Sequence, residues 1–390
     1  MLLAALAVRL VYGLALVGPT TGADTPLFYS HALHLLAGQG YGQPDRPPGF
    51  PVILAATIRL FGGYPASIVV VQCALSAVVA PLLYLAGRNL FGEAAGVLAG
   101  VFSVFHFPLI DYARVVQSDV LFALTVAALA WVLSPGAGWR RAALGGGLLG
   151  LCALTRGTAL AFFPFIELLG ATRLGPRAAG RAGRAALVVG MACLTLAPWA
   201  YRNFRREGRF IPVSSEGGLN FFQGASVYYF LTGQTDIELA RELTGWDSGD
   251  NDELIQPQFQ AALMGYWWRQ WAERPGQQIA LRVISLLDFW SPVERVRDYA
   301  LGPGNLYWAV TYGALLPFFA LGAHLMWRRG VPGTYFLLAA IAGTTVLHML
   351  THAEQARYRG LSVESLIVLA AMYGVVEWWN YRRAGAAKTG

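Results

Sequence analysis

The chain has 390 residues, of which 56% are hydrophobic and 13% charged. Soluble domains carry about 25% charged residues, so this composition excludes an ordinary water-soluble enzyme and indicates an integral membrane protein. The net charge of +7 is almost wholly arginine, Lys388 being the only lysine, and the basic residues fall in short loops between apolar runs. Such placement sets membrane topology and gives no nucleic-acid surface.

A membrane helix needs about 20 mostly apolar residues. In chain order the candidate spans are 2–18, 66–87, 91–108, 119–134, 185–201, 304–326, 331–350 and 361–380, with half-length pieces 142–154 and 158–170 on either side of Arg156. The first run lacks a basic stretch before it and is expected to be an anchor rather than a cleaved signal. Run 49–62 is cut off from the next span by Gly62-Gly63-Tyr64-Pro65 and is expected to lie at the interface. Cys73, Cys152 and Cys193 sit in apolar runs without metal-ligand spacing and read as small core residues.

The segment between the first two spans is polar and rich in Pro and Gly. It holds Asp24, the pair Phe28-Tyr29, an amphipathic run from His31 to Ala37, then Gly38-Gln39-Gly40-Tyr41-Gly42 and Asp45-Arg46-Pro47-Pro48-Gly49-Phe50-Pro51. A carboxylate at the mouth of a membrane helix marks function. The alternative is that Asp24 caps a short helix, with Pro26 in its first turn.

Further on, Ser118-Asp119 opens a span and is either a helix N-cap or a second acidic site position. Arg114 lies where it neutralises Asp111. Arg156 stands between two apolar pieces, and a lone arginine within a span costs about 2.5–3.5 kcal/mol, so it needs a partner or water. Pro198-Trp199-Ala200-Tyr201-Arg202-Asn203 ends another span and leads to Gly217-Gly218, where backbone can approach a ligand closely. Arg202 is a phosphate contact or a snorkelling helix-end residue.

Residues 202–303 are the one sizeable polar region. Its acids between Asp236 and Glu253 fit no calcium-loop template. Residues 257–291 read as helix, with the aromatic density of an interface belt. Before the last span stands His352-Ala353-Glu354-Gln355-Ala356-Arg357-Tyr358-Arg359. The histidines have no zinc spacing with a catalytic glutamate, and no phosphate-cradling or dinucleotide loop occurs, so a nucleotide-sugar donor is not indicated.

If the loop arginines face the cytoplasm, the N-terminus is inside, and residues 19–65, 202–303 and 351–360 are outside. This requires 142–170 to cross twice as a tight hairpin. The expected organisation is an N-terminal membrane region 1–201 including the loop 19–65, an external segment 202–303 and a C-terminal membrane region 304–390.

The motifs resemble those of the GT-C membrane glycosyltransferases that use polyprenyl-phosphate sugars: glycosyltransferase family 39, the protein O-mannosyltransferases and the aminoarabinose-transferase-like enzymes. The resembling positions are Asp24, Tyr29, Ala32, Gly38, Gly40, Tyr41 and Arg46 to Pro51; Leu154-Thr155-Arg156; Pro198-Trp199 with Arg202-Asn203; Gly217-Gly218; and Glu354-Gln355-Ala356-Arg357-Tyr358. Two departures occur: Ser118-Asp119 where the family has Ser-Glu, and no prolines entering the last helix.

The resemblance implies an all-α polytopic GT-C-like bundle of about ten transmembrane helices, with juxtamembrane helices and a small segment on the extracytoplasmic side of the plasma (inner) membrane. It implies Asp24 as catalytic base, supported by Asp119. Tyr29, Arg46, Arg156, Arg202, Asn203, Gly217, Gly218, Glu354, Arg357 and Arg359 are the implied substrate-binding residues, with Arg357 at the lipid phosphate. The donor would be a polyprenyl-phosphate sugar and the acceptor a protein, lipid or glycan. No cofactor is required, although a divalent cation is compatible. The rival functions are a lipid-linked-sugar flippase or transporter, which favours mid-membrane polar groups and inverted repeats, and a non-catalytic subunit of cell-envelope assembly.

Overall fold

The computed structural model describes residues 1–22, 24–62, 64–134, 138–162, 178–225, 236–245, 256–292, 303–331, 334–351 and 356–389. It is overwhelmingly helical. The first apolar run forms α1 (Leu2–Leu10) and continues as a π-helical turn, Val11–Leu16. The opening loop contributes α2 (Thr25–Leu36), and the run 49–62 forms a helix of its own, α3 (Gly49–Phe61). Then come α4 (Ala66–Phe91), α5 (Glu93–Phe105), α6 (Phe107–Asp111), α7 (Asp119–Val132), α8 (Trp139–Thr155) and α9 (Ala178–Glu207).

The polar region supplies α10 (Gly217–Ala225), α11 (Asp236–Thr244), α12 (Gln260–Glu273) and α13 (Pro275–Trp290). The chain finishes with α14 (Pro303–Arg329), α15 (Thr334–Thr351), α16 (Ala356–Ser362) and α17 (Glu364–Thr389). Two short strands, β1 (Thr20–Thr21) and β2 (Val115–Val116), pair in parallel.

Small residues let the long helices cross closely, as lipid-embedded packing favours. Gly87 of α4 meets Gly96 of α5; Gly146 and Gly150 of α8 abut the backbone of α9; Gly322 of α14 and Gly374 of α17 face each other's backbone. The main core is built on α4, α5, α7, α8, α9, α14, α15 and α17, and a second core under the opening loop joins Phe28, Phe50, Leu54, Ile68, Val69 and Val116. Cys73 and Cys152 are buried as expected, whereas Cys193 is exposed on α9.

Three described helices are long and apolar enough to cross a membrane: Ala66–Phe91, Ala182–Glu207 and Leu306–Arg329. The run expected to be one span over 91–108 instead breaks between α5 and α6 with a bend of 51°, and counts as a fourth if taken as one broken span. Proline explains the break. Pro108 has no N–H to give to the carbonyl four residues earlier. Arg9 takes over that carbonyl: its Nη1 donates to Val104 O (3.2 Å) and its Nη2 to Ser103 O (3.0 Å), while Nε donates to Ser76 Oγ (2.7 Å).

Several other expected spans are shorter helices, so the described helices do not reach the expected ten by length and composition. In the expected hairpin 142–170, α8 ends at Thr155 and Arg156 is extended. Its second half beyond 162 lies outside the described residues, as do the acids from 246 to 253.

Candidate active site

The strand pair sets the site's frame. Thr20 and Thr21 align with Val115 and Val116, and Thr25 Oγ1 donates to Val116 O at 2.7 Å. The segment carrying Asp24 is thereby fixed beside the segment leading into Asp119. Both acids stand at helix starts, yet Asp24 and Ser118 make no side-chain cap bond. Capping therefore does not account for the acidic positions.

Asp24 pairs with an arginine instead. Arg46 Nη2 donates to Asp24 Oδ1 at 3.0 Å, and Arg46 Nη1 pairs with Glu216 Oε2. Arg46 is 12% exposed in its side chain, against 30% for Asp24 and 24% for Glu216, so the cation lies deepest and the acids face outward from it. Burial opposes Arg46's charge, but Glu216, Asp24 and Asp45 outweigh it and raise its pKa. Arg156 finds the partner its isolation demanded: it pairs with Asp119, which is nearly inaccessible. The field of Arg156 also reaches Glu216.

The loop that aims Arg46 is braced from α2. His31, two turns after Asp24, places Nε2 2.7 Å from Asp45 Oδ1. Its ring stacks on Tyr41 (centroids 4.2 Å apart, 13° between planes). Tyr41 presents its face or edge to Trp199 (4.8 Å, 85°) and donates its hydroxyl to Arg46 O at 2.9 Å. Burial and the nearby Asp45 push the Tyr41 phenol well up, keeping it a donor. Gly38 and Gly40 adopt φ of 72° and 74°, the left-handed region that glycine enters without strain, and so turn the chain into Tyr41.

Arg202 closes this brace from α9. Its Nη2 donates to the carbonyls of Tyr41 and Gly42, and its guanidinium lies over Trp199 (5.1 Å) and Tyr41 (5.7 Å).

The structure thus brings together Asp24, Arg46, Asp119 and Arg156, and adds Glu216. Several of the expected substrate-binding residues make packing contacts within the fold. Tyr29 stacks on Tyr64 at 4.4 Å. Asn203 is buried and donates to Ile211 O at 2.9 Å. Gly218 packs against the Gln260 backbone with no room for a Cβ, while Gly217 faces open space.

Arg359 is fully buried: it donates to Phe289 O and to Ser291 O (2.8 Å), and its guanidinium sits 3.7 Å from the Tyr312 ring centroid. Glu354 and the side chain of Arg357 lie outside the described residues. Asp111 is engaged by Arg114 (2.7 Å) and Tyr12 (3.2 Å). Among the described residues, no group of three or more His, Cys, Asp or Glu side chains is arranged to hold a metal ion. The positive charge beside the acids is supplied by Arg46 and Arg156.

Glu216 and the His31–Asp45 pair are the site features that motif reading missed. The available signal was modest: Glu216 stands directly before Gly217-Gly218, and Asp45 directly before Arg46.

Comparison with known proteins gives this geometry its context. Residues 45–201 match the family model of dolichyl-phosphate-mannose-protein mannosyltransferases. The archaeal oligosaccharyltransferase AglB of Archaeoglobus fulgidus, solved with an inhibitory peptide and a dolichol-phosphate, superimposes on 100% of this chain and 51% of its own, with TM-score 0.60 and 12% identity. The chain has the GT-C fold.

A second GT-C structure, the same organism's oligosaccharyltransferase tethered to an acceptor peptide, covers 95% of this chain and 48% of its own, with TM-score 0.55 and 13% identity. This GT-C chain therefore spans about half the length of those oligosaccharyltransferases. ArnT from Cupriavidus metallidurans, bound to undecaprenyl phosphate, aligns over 96% of this chain and 75% of its own at 15% identity, with TM-score 0.43. No curated protein sequence matches. The GT-C neighbours are polytopic membrane proteins, and the apolar helices of this chain place it in the same class.

Proposed function

We propose that the protein is a membrane glycosyltransferase that moves a hexosyl or pentosyl group from a polyprenyl-phosphate donor to a hydroxyl of a protein, lipid or glycan acceptor, on the extracytoplasmic face of the plasma membrane. The observation that carries this reading is the placement of Asp24: a part-exposed carboxylate, released from helix capping and oriented by a buried arginine. The family match over 45–201 and the dolichol-phosphate held by the AglB neighbour support the choice of donor class.

In the proposed step the acceptor oxygen attacks the anomeric carbon. The bond from that carbon to the phosphate oxygen breaks, and polyprenyl phosphate leaves with the electron pair. Asp24 takes the acceptor's proton. A single displacement inverts the anomeric centre. The donor already carries a good leaving group, so the other requirement is positive charge at the phosphate, which planar guanidinium groups grip in pairs. Arg357 is the proposed phosphate ligand. Asp119 and Arg156 form the wall beside the base, and Arg202 holds the turn that carries the Arg46 loop. With these arginines supplying the charge, the proposed step needs no divalent cation.

The test uses purified protein in lipid vesicles with labelled polyprenyl-phosphate sugars of several types. Release of polyprenyl phosphate with label appearing on an acceptor is the expected result. Movement of intact donor between leaflets, without cleavage of any donor, would instead establish a flippase.

A further inference from the structure

One helix of the polar region is built inside out. The face of α13 that the protein buries carries Gln278, Arg282, Ser285 and Phe289. The opposite face carries Ile279, Val283, Ile284 and Leu287, which are 47–60% exposed. The spacing of each set keeps it on one side of a 3.6-residue helix. A helix at a water surface turns its apolar stripe to the core and its polar residues to solvent. Helix α13 does the reverse.

Polar contacts fix this orientation. Arg282 Nη1 donates to Leu350 O at 3.0 Å and Nη2 to Gly224 O, which ties the inward face to α15 and α10. Gly224 itself abuts the Leu350 backbone, with no room for a Cβ. At the far end, Arg359 Nη1 donates to Phe289 O and to Ser291 O. The apolar stripe therefore cannot roll inward without breaking these bonds.

We propose that the exposed stripe of α13 is a lipid-contacting surface, seated among the acyl chains of one leaflet, so that Pro275–Trp290 is not part of the aqueous segment. Two observations select lipid over water. The first is continuity with a membrane span. Trp290 stacks on Phe319 (centroids 5.5 Å apart, 28° between planes), which lies well inside Leu306–Arg329. Pro292 reaches the same span, 3.7 Å from where a Cβ on Gly313 would stand. That span is apolar outward too, with Val310 63% exposed.

The second observation is the distribution of charge. Trp268 and Arg269 on α12 are exposed, as are Glu273 and Arg274 just before α13. Exposed Trp and Arg are typical of a membrane–water boundary. From Pro275 to Leu287 no exposed residue is charged. The 16 residues of α13 extend about 24 Å, short of a hydrocarbon core of about 30 Å, so the helix enters one leaflet without crossing. Lipid contact at this face is independent of any transfer chemistry.

The experiment places one spin-labelled cysteine at a time in the full chain, reconstituted in phosphatidylcholine–phosphatidylglycerol vesicles. The background is Cys193→Ser, where Cys73 and Cys152 are buried. Ile279→Cys, Val283→Cys and Leu287→Cys report the stripe, Val310→Cys the span and Gln43→Cys an exposed polar loop. Oxygen concentrates in hydrocarbon, whereas a water-soluble nickel chelate is excluded from it. At the stripe, as at Val310→Cys, the ratio of oxygen to nickel collisions should exceed that at Gln43→Cys by about tenfold, because polar solutes enter hydrocarbon poorly. Thermal unfolding checks each variant, and Ile284→Cys replaces any stripe variant that unfolds early.

Nickel collisions at the stripe equal to those at Gln43→Cys would place it in water and overturn the proposal. Shielding from both reagents would also overturn it, since protein, from this chain or a second copy, would then cover the stripe. Neither result bears on whether the protein transfers sugar.

Discussion

At the residue scale, the site is a set of charges each held by a specific opposite. Arg46 joins two of the acids, and its removal leaves Asp24 and Glu216 without the guanidinium they share. Breaking such a pair by deleting one partner costs about 3–5 kcal/mol when buried; the partial exposure of both acids places Arg46→Ala at or below the low end. Thermal unfolding should show a lower Tm for Arg46→Ala, with Arg46→Lys between it and wild type because one ammonium cannot reproduce the fork. Equal Tm values for all three would contradict the bridging role.

Glu216 also gives stability a defined pH dependence. Its folded pKa is raised, so between the ordinary glutamate range and that raised value the folded chain binds a proton that the unfolded chain does not. Its contribution to stability therefore falls as pH rises through that window, opposite to an ordinary salt-bridged acid. Measured as Tm against pH, wild type should gain on Glu216→Gln as the pH is lowered through the window. A gain on raising the pH would refute the assignment.

At the element scale, two helix contacts carry sharp expectations. Gly218→Ala sets a Cβ against the Gln260 backbone, so α10 must shift from α12. Overpacking of this kind costs about 1–3 kcal/mol, and activity should fall with stability because Glu216 is adjacent. An unaltered Tm would show that α10 does not need this approach. At the α5–α6 break, Arg9→Leu uncovers the carbonyls of Ser103 and Val104, and an unsatisfied buried polar group costs about 1–3 kcal/mol each. A marked loss of thermal stability in detergent is expected, and wild-type stability would show the carbonyls have another partner.

These elements also show what was legible in the sequence. The opening loop was, because its residues are contiguous and its Pro/Gly chemistry cannot lie in lipid. The need of Arg156 for a partner was readable from the energetics of a lone charge, and Asp119 answers it from 37 positions away. Glu216 was not legible as an Arg46 partner, since 170 positions separate them and no local pattern links the two. The burial of Arg359 was not legible either: two positions from Arg357 it reads as a surface cation, and only packing shows that it lies among Phe289, Ser291 and Tyr312. The bend at His106 was hidden because Pro108 lies in an otherwise continuous apolar run, and nothing local indicates that Arg9 would cover the break.

At the scale of the whole molecule, the GT-C likeness covers the full chain, although this chain is about half as long as AglB. The site draws on the opening loop, the start of α7, the end of α8, the end of α9 and the strap before α10, and the proposed topology requires all of them on one side. Single exposed cysteines in a Cys193→Ser background, where Cys73 and Cys152 are buried, test this. Gln43→Cys, at an exposed position of the opening loop, should react with an impermeant maleimide in intact cells. Arg140→Cys, at the exposed start of α8, should react only after permeabilisation. Labelling of Arg140→Cys in intact cells would reverse or break the topology. On the proposed mechanism, in which arginines supply the positive charge at the phosphate, transfer should persist within about twofold after chelation. Abolition by chelator and recovery with added divalent cation would contradict that assignment.

The most direct test of the central claim is the rate of sugar transfer from a polyprenyl-phosphate donor by Asp24→Asn protein of wild-type thermal stability. Loss of the general base predicts a kcat lower by about 10²–10⁴-fold. Transfer at the wild-type rate would show that the carboxylate held by Arg46 is not the proton acceptor.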